Sequence, residues 1–162
     1  MKRLLVIVAA LALLATVPSA AALSIVSPPS PMTWPVPGCT KISVAFWEND
    51  ERAHLGIDIA DGSVEGKIVV AAAGGTVVFM DANPKNPGSG IQVYIEHENT
   101  YMTRYAHLLE DSFFVEEGDT VQIGQPIGRV GATGLVTGPH LHFEVIDLAT
   151  GERLNPMDFV RR

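Results

Sequence analysis

The stretch Gly138-Pro139-His140-Leu141-His142-Phe143-Glu144-Val145 decides the fold. Leu141, Phe143 and Val145 alternate with His140, His142 and Glu144. Period two is strand periodicity, with one apolar face and one face carrying two imidazoles and a carboxylate. Histidines at i and i+2 on one strand face stand ~7 Å apart. Such a pair can put one imidazole on a metal and the other beside the metal's open position. Alone, it fits a solvated surface strand equally well.

Working outward, the same short period recurs. Ile42 to Trp47 reads as a strand, followed by a polar loop, Glu48 to Arg52. His54 to Ile59 reads as a short extended stretch. Lys67 to Ala72 and Gly75 to Met80 read as apolar strands, and Ile91, Val93 and Ile95 mark a half-buried one. Tyr101 to His107, Val121 to Ile123 and Ile127 to Val130 complete the set. Asp81 to Gly90, rich in Asn, Pro, Gly and Ser, is a loop. Leu108 to Phe114 has room for one helical turn. Sustained helical periodicity is absent outside the N-terminus. The expectation is an all-β domain, an antiparallel sandwich or barrel-like sheet with few or no long helices. It spans 34–162, and neither a repeat nor a second domain is legible.

Residues 1–22 read as a secretory signal peptide. Lys2-Arg3 precedes the apolar run Leu4 to Val17, and Pro18 to Ala22 supplies the small residues of a cleavage site after Ala20 or Ala22. The run is shorter than the ~20 residues a membrane span needs, so no stable membrane anchor is expected after cleavage. Residues 23–33, with Ser-Pro-Pro-Ser-Pro, read as a stiff linker. The expected location is therefore exported, periplasmic or extracellular at the cell wall. Eleven Lys and Arg face eighteen Asp and Glu; removing Lys2 and Arg3 leaves 9 − 18 = −9. That balance speaks against a nucleic-acid partner or an anionic membrane surface. Cys39 is the only cysteine, so no internal disulfide is possible, and the core or a metal must supply the stability.

The five histidines are His54, His97, His107, His140 and His142. In Ala53-His54-Leu55-Gly56-Ile57-Asp58 a carboxylate follows a histidine by four residues, on the same face of an extended segment, and Gly56 lets the backbone bend between them. His54, Asp58 and one more histidine make an N/N/O set of the kind zinc takes while keeping a fourth position for water. Tyr105-Ala106-His107 adds a third element at a strand end. His97 follows an alternating strand among acidic neighbours and reads as an exposed strand-end residue. Tyr105 shares a face with His107 and reads as a core tyrosine. Glu144 shares a face with His142, where it can orient the imidazole or make a structural ion pair.

Together these motifs resemble the lysostaphin-type (LytM-like) zinc metallopeptidases that cut peptidoglycan peptides. The resemblance runs from Trp34 to about Val160. It includes Trp-Pro-Val-Pro-Gly, His-Leu-Gly-Ile-Asp-Ile-Ala, Thr-Arg-Tyr-Ala-His-Leu, Val-Glu-Glu-Gly-Asp-Thr-Val, Gly-Gln-Pro-Ile-Gly and Gly-Pro-His-Leu-His-Phe-Glu. It implies a sheet of the duplicated hybrid motif type, with one Zn2+ held by His54, Asp58 and His142. It implies that His107 and His140 are catalytic histidines outside the ligand set. One of them would activate a water for attack on a peptide carbonyl, and a protonated histidine would help stabilise the oxyanion. One departure is Trp47 and the acidic loop after Phe46, where the family often has glycine; this bears on substrate preference. The implied partners are peptidoglycan peptides, with an unidentified regulatory partner as a further expectation.

Three other readings compete. A LytM-like module without catalysis would bind and activate a cell-wall amidase, but here all five site positions are filled. A biotinyl or lipoyl carrier shares the Glu-Gly-Asp-Thr-Val stretch but would need a modifiable lysine, and none lies in Val115 to Val130; a cytosolic phosphotransfer domain would not carry the signal peptide. A protease of non-wall proteins would use the same site. Neither the bond cut, D-alanyl cross-link or glycine bridge, nor the oligomeric state is written in the sequence.

Overall fold

The computed structural model describes residues 31–48 and 53–162. The signal-peptide reading, most of the linker and most of the acidic loop lie outside the described residues. Twelve strands follow in order: β1 (Met32–Thr33), β2 (Ile42–Val44), β3 (Ile57–Ile59), β4 (Ile68–Val70), β5 (Gly75–Asp81), β6 (Gln92–His97), β7 (Tyr101–Ala106), β8 (Thr120–Val121), β9 (Pro126–Arg129), β10 (Leu141–Asp147), β11 (Arg153–Leu154) and β12 (Val160–Arg161). A single 3₁₀ turn, Pro156–Asp158, is the only helical element among the described residues. Its Asn155 side chain accepts from the Met157 amide, and Pro156 sits in its first turn, where no donor is missed. No helix among the described residues is long and apolar enough to cross a membrane.

The main sheet runs β2-β3-β10-β7-β6-β5-β8, with β11 added on β10, and every pairing in it is antiparallel. The all-β antiparallel expectation is what the structure shows. A separate β4–β9 ribbon contributes Val69 and Ile127 to the same buried cluster as Ile57, Ile59, Val93, Ile95, Leu141, Phe143 and Val145. Burying one such side chain contributes about 1.5–3 kcal/mol. These residues occupy alternate positions of β3, β6 and β10, so the opposite positions of the same strands face away from the core.

Several local expectations change. Met32 and Thr33, assigned to the linker, form β1, pair in parallel with Val160 and Arg161, and bury Met32. Leu108 to Phe114 holds turns without a helical element. Cys39 is buried beside Trp34, whose indole donates to the Cys39 carbonyl at 2.6 Å.

His97 is the clearest correction, because it is buried rather than exposed. It continues the inward phase of Val93 and Ile95. Its Nδ1 donates to the Gly74 carbonyl at 2.9 Å and its Nε2 meets the Thr103 hydroxyl at 2.8 Å. That hydroxyl lies 3.0 Å from the fully buried Tyr105 hydroxyl, which accepts from the Ala72 amide. A polar chain thus crosses the core with each group partnered.

Gly56 lies at the expected bend and has a second role. A Cβ built there would lie 2.4 Å from the Phe143 carbonyl oxygen and 3.0 Å from both the Glu144 and His142 side chains. The glycine is a requirement of close approach between the segment leading into β3 and β10.

Two outcomes follow for stability. Gly56→Ala forces that segment off β10 and should cost about 2 kcal/mol or more in thermal or urea unfolding. His97→Ala should cost about 1–3 kcal/mol at pH 7.5. Burial lowers the His97 pKa, so the folded chain binds fewer protons there than the unfolded chain. This contribution is complete above about pH 6.5 and is lost as pH falls below it. The deficit of the alanine variant should therefore shrink in melts at pH 5.

Candidate metal centre and its flanking histidines

Pairing of β3 with β10 puts Asp58 directly opposite His142. Ile57 and Ile59 flank Asp58, and Leu141 and Phe143 flank His142; all four are fully buried. The core therefore clamps each candidate ligand from both sides and turns it to the opposite face. His54 enters through an isolated bridge between Trp47 and His54. Asp58 Oδ1 lies 3.0 Å from His54 Nε2 and 2.8 Å from His142 Nδ1. The ligand atoms of these three residues lie within 4.8 Å of one another.

The donor set fits a metal cation. His54 Nδ1 lies 2.8 Å from the Ala45 carbonyl, which can only accept, so that nitrogen carries the proton. A ring with that single proton presents an Nε2 lone pair to Asp58. His142 Nε2 lies 3.0 Å from Glu144 Oε1, again an acceptor, which leaves the Nδ1 lone pair on the same Asp58 oxygen. Two lone pairs aimed at one carboxylate oxygen require a cation among them, a proton or a metal. Charge follows the same logic. Burial favours neutral Asp58, but the His142 hydrogen bond and the nearby histidines outweigh it and lower its pKa. Burial favours neutral His142, but its bonds to Asp58 and Glu144 outweigh it and raise its pKa.

His140 and His107 stand beside this set. His140 precedes β10, its Nε2 3.7 Å from Asp58 Oδ1 and its Nδ1 donating to the Gly138 carbonyl at 2.9 Å. His107 Nδ1 donates to the Thr133 carbonyl at 2.9 Å. The two rings are 4.6 Å apart by centroids, and His107 is 6.0 Å from His142. Each ring spends its Nδ1 proton on a backbone carbonyl, so Nε2 is the nitrogen left for chemistry. Burial above all pulls the His107 pKa down, to about 4, against the Thr133 hydrogen bond. His107 is thus neutral at pH 7, with its lone pair on Nε2.

The expectation that Tyr105 and His107 share a face does not hold. Tyr105 packs in the core against Phe143, at 5.3 Å between centroids. His107 has φ +62, a left-handed conformation that breaks the alternation at the end of β7 and joins its ring to the opposite face. Its amide donates to the Ser89 carbonyl at 3.0 Å, and its carbonyl accepts from Gly131 at 3.1 Å. Sequence reasoning missed Arg104, Ser89 and Thr133. Arg104 carried one available signal: a guanidinium in mid-strand, in phase with Ala106 rather than with buried Thr103 and Tyr105. Ser89 and Thr133 sit in loops, where no periodicity points to them.

All five site residues fall within residues 52–156, which match the model of Peptidase family M23. Peptidoglycan DD-endopeptidase ShyA of Vibrio cholerae is 48% identical over 88 residues, covering 54% of this chain and 19% of its own length. Murein hydrolase activator NlpD of Salmonella typhimurium is 36% identical over 145 residues, covering 90% of this chain and 35% of its own. The chain thus spans about a fifth to a third of the length of these curated relatives. A crystal structure of a zinc-containing peptidase from Vibrio cholerae superposes with TM-score 0.69 at 33% identity, over 79% of this chain and 40% of that one. By the extent of the family match and by this superposition, the chain belongs to peptidase family M23.

Proposed function

We propose that this chain is an exported, zinc-dependent endopeptidase that hydrolyses peptide bonds in peptidoglycan stem peptides or cross-links. The observation that carries the reading is the convergence of His54, Asp58 and His142 on one point, with His107 and His140 held alongside by backbone carbonyls. His54 Nε2, an Asp58 oxygen and His142 Nδ1 would hold the metal. Zinc in such a site supplies a Lewis acid that polarises a carbonyl and lowers the pKa of water. The chain's own residues do the rest. Neutral His107 takes a proton at Nε2 from the attacking water and returns it to the leaving amine. His140, its ring fixed by Gly138, stabilises the carbonyl oxygen in its protonated form, donating from Nε2–H as negative charge develops there. Lys2-Arg3 with the following apolar run supports export.

The relation to NlpD, named a murein hydrolase activator, supports a second reading: a module that binds and stimulates a cell-wall amidase. The presence of all five site residues favours catalysis by the chain itself.

Purified protein should convert cross-linked muropeptide dimers to monomers with zinc and not with a chelator, as read by mass spectrometry, and the product masses name the bond. A folded, zinc-loaded protein inert on directly linked and glycine-bridged dimers, yet stimulating a purified amidase, would establish the activator reading instead. His142→Ala should lose the metal and the activity together. His140→Ala should keep zinc within about threefold of parent affinity and lose about 100-fold or more in turnover. Metal analysis after dialysis distinguishes the two, and the reverse pattern would exchange their roles.

A further inference from the structure

One guanidinium connects the two halves of the site. Across the sheet, Tyr94 of β6 lies opposite Arg104 of β7, and Arg104 lies opposite Glu144 of β10. Arg104 Nη1 donates to Glu144 Oε1 at 2.7 Å, and His142 Nε2 lies 3.0 Å from that same oxygen. Arg104 Nη2 donates to the Ser89 hydroxyl, and Nε donates to Gln92 Oε1 at 2.9 Å. Its guanidinium lies 5.5 Å from the centre of the Tyr94 ring. Ser89 in turn accepts the His107 amide through its carbonyl.

We infer that Arg104 is a positioning residue, one that fixes the ring of His142 through Glu144 and the backbone of His107 through Ser89. The inference rests on the metallopeptidase reading for its functional meaning. Glu144 is almost fully buried, and its Oε1 must accept from two donors at once. Arg104 sets where that oxygen stands, and the oxygen sets which His142 nitrogen carries the proton. The second link matters because His107 occupies a left-handed backbone that costs energy without support. The Ser89 turn is locked in place: a Cβ on neighbouring Gly90 would fall 2.3 Å from the Thr133 carbonyl carbon. Thr133 is the residue that holds the His107 ring. The planar fork of arginine serves three acceptors in three directions, which a lysine cannot reproduce. Arg153, on the other Glu144 oxygen at 3.3 Å, keeps the carboxylate paired when Arg104 is replaced.

The test compares parent, Arg104→Met and Arg104→Lys, after thermal melts confirm folding. Zinc affinity is read by competition with a chromophoric chelator. Exchange of the His142 Nε2 proton and of the His107 amide is read by NMR in zinc-free protein. Arg104→Met should weaken zinc binding ~10–100-fold and speed both exchanges at least about tenfold. Arg104→Lys should restore zinc affinity to within about threefold, because an ammonium can still meet Glu144, while the His107 amide stays fast. A folded Arg104→Met protein matching the parent in affinity and in both exchange rates overturns the inference. If Arg104→Met does not fold, Arg104→Lys decides: His107 exchange equal to the parent overturns it, and faster exchange supports it. A parent that binds no zinc while the exchanges respond to Arg104→Met would sink the metal reading and leave the positioning role standing.

Discussion

The pairing of β3 with β10 is the constraint on which the rest of the structure depends. It sets a two-residue alternation on each strand, Ile57-Asp58-Ile59 against Leu141-His142-Phe143. The apolar members anchor in the core, and the polar members meet on the other side. Gly56 permits the approach, since any larger residue would collide with the Phe143 carbonyl. A register slip of one residue would turn every side chain of β3 over, burying Asp58 and exposing two isoleucines. Core packing and site geometry are therefore the same interaction seen from two faces of the sheet.

The site is built on a regular sheet but completed from loops. His54, Asp58 and His142 come from the strands or their immediate edge. His140 and His107 owe their positions to loop carbonyls, from Gly138 and Thr133. Strands supply a rigid pair of facing positions, whereas a carbonyl that accepts one ring proton fixes which nitrogen of a loop-held histidine is left open. The same logic extends outward through Glu144, whose two oxygens are shared among His142, Arg104 and Arg153. Burial works against its charge, and these partners outweigh it to keep its pKa low.

The core carries a second polar chain, Gly74–His97–Thr103–Tyr105–Ala72, with its own logic. It joins the connection between β4 and β5 to β6 and β7, using hydrogen bonds where an aliphatic core would use packing alone. Burial raises the Tyr105 hydroxyl pKa to about 12 and lowers that of His97, so both stay neutral at pH 7. One histidine on the core side and four on the site side show how little the residue type says without its face.

The sequence by itself determined the approximate positions of β2 to β10, the all-β class and the histidine-rich face of β10, because period-two alternation reports burial directly; the two-residue strands β1, β11 and β12 are too short to alternate. It also carried the candidate set His54, Asp58, His107, His140 and His142, because those residue types sit at the ends of legible strands. Two histidines were misplaced, for different reasons. His97 was in phase with Val93 and Ile95, yet its acidic neighbours suggested exposure. His107 was in phase with Tyr105, yet a left-handed backbone placed it on the opposite face. The tertiary structure alone decided those two placements, the tautomers of the site histidines and the reach of Arg104 from Glu144 to Ser89. Each depends on contacts between segments far apart in the chain, such as Arg104 with Glu144 and His107 with Thr133, and local periodicity holds no information about them.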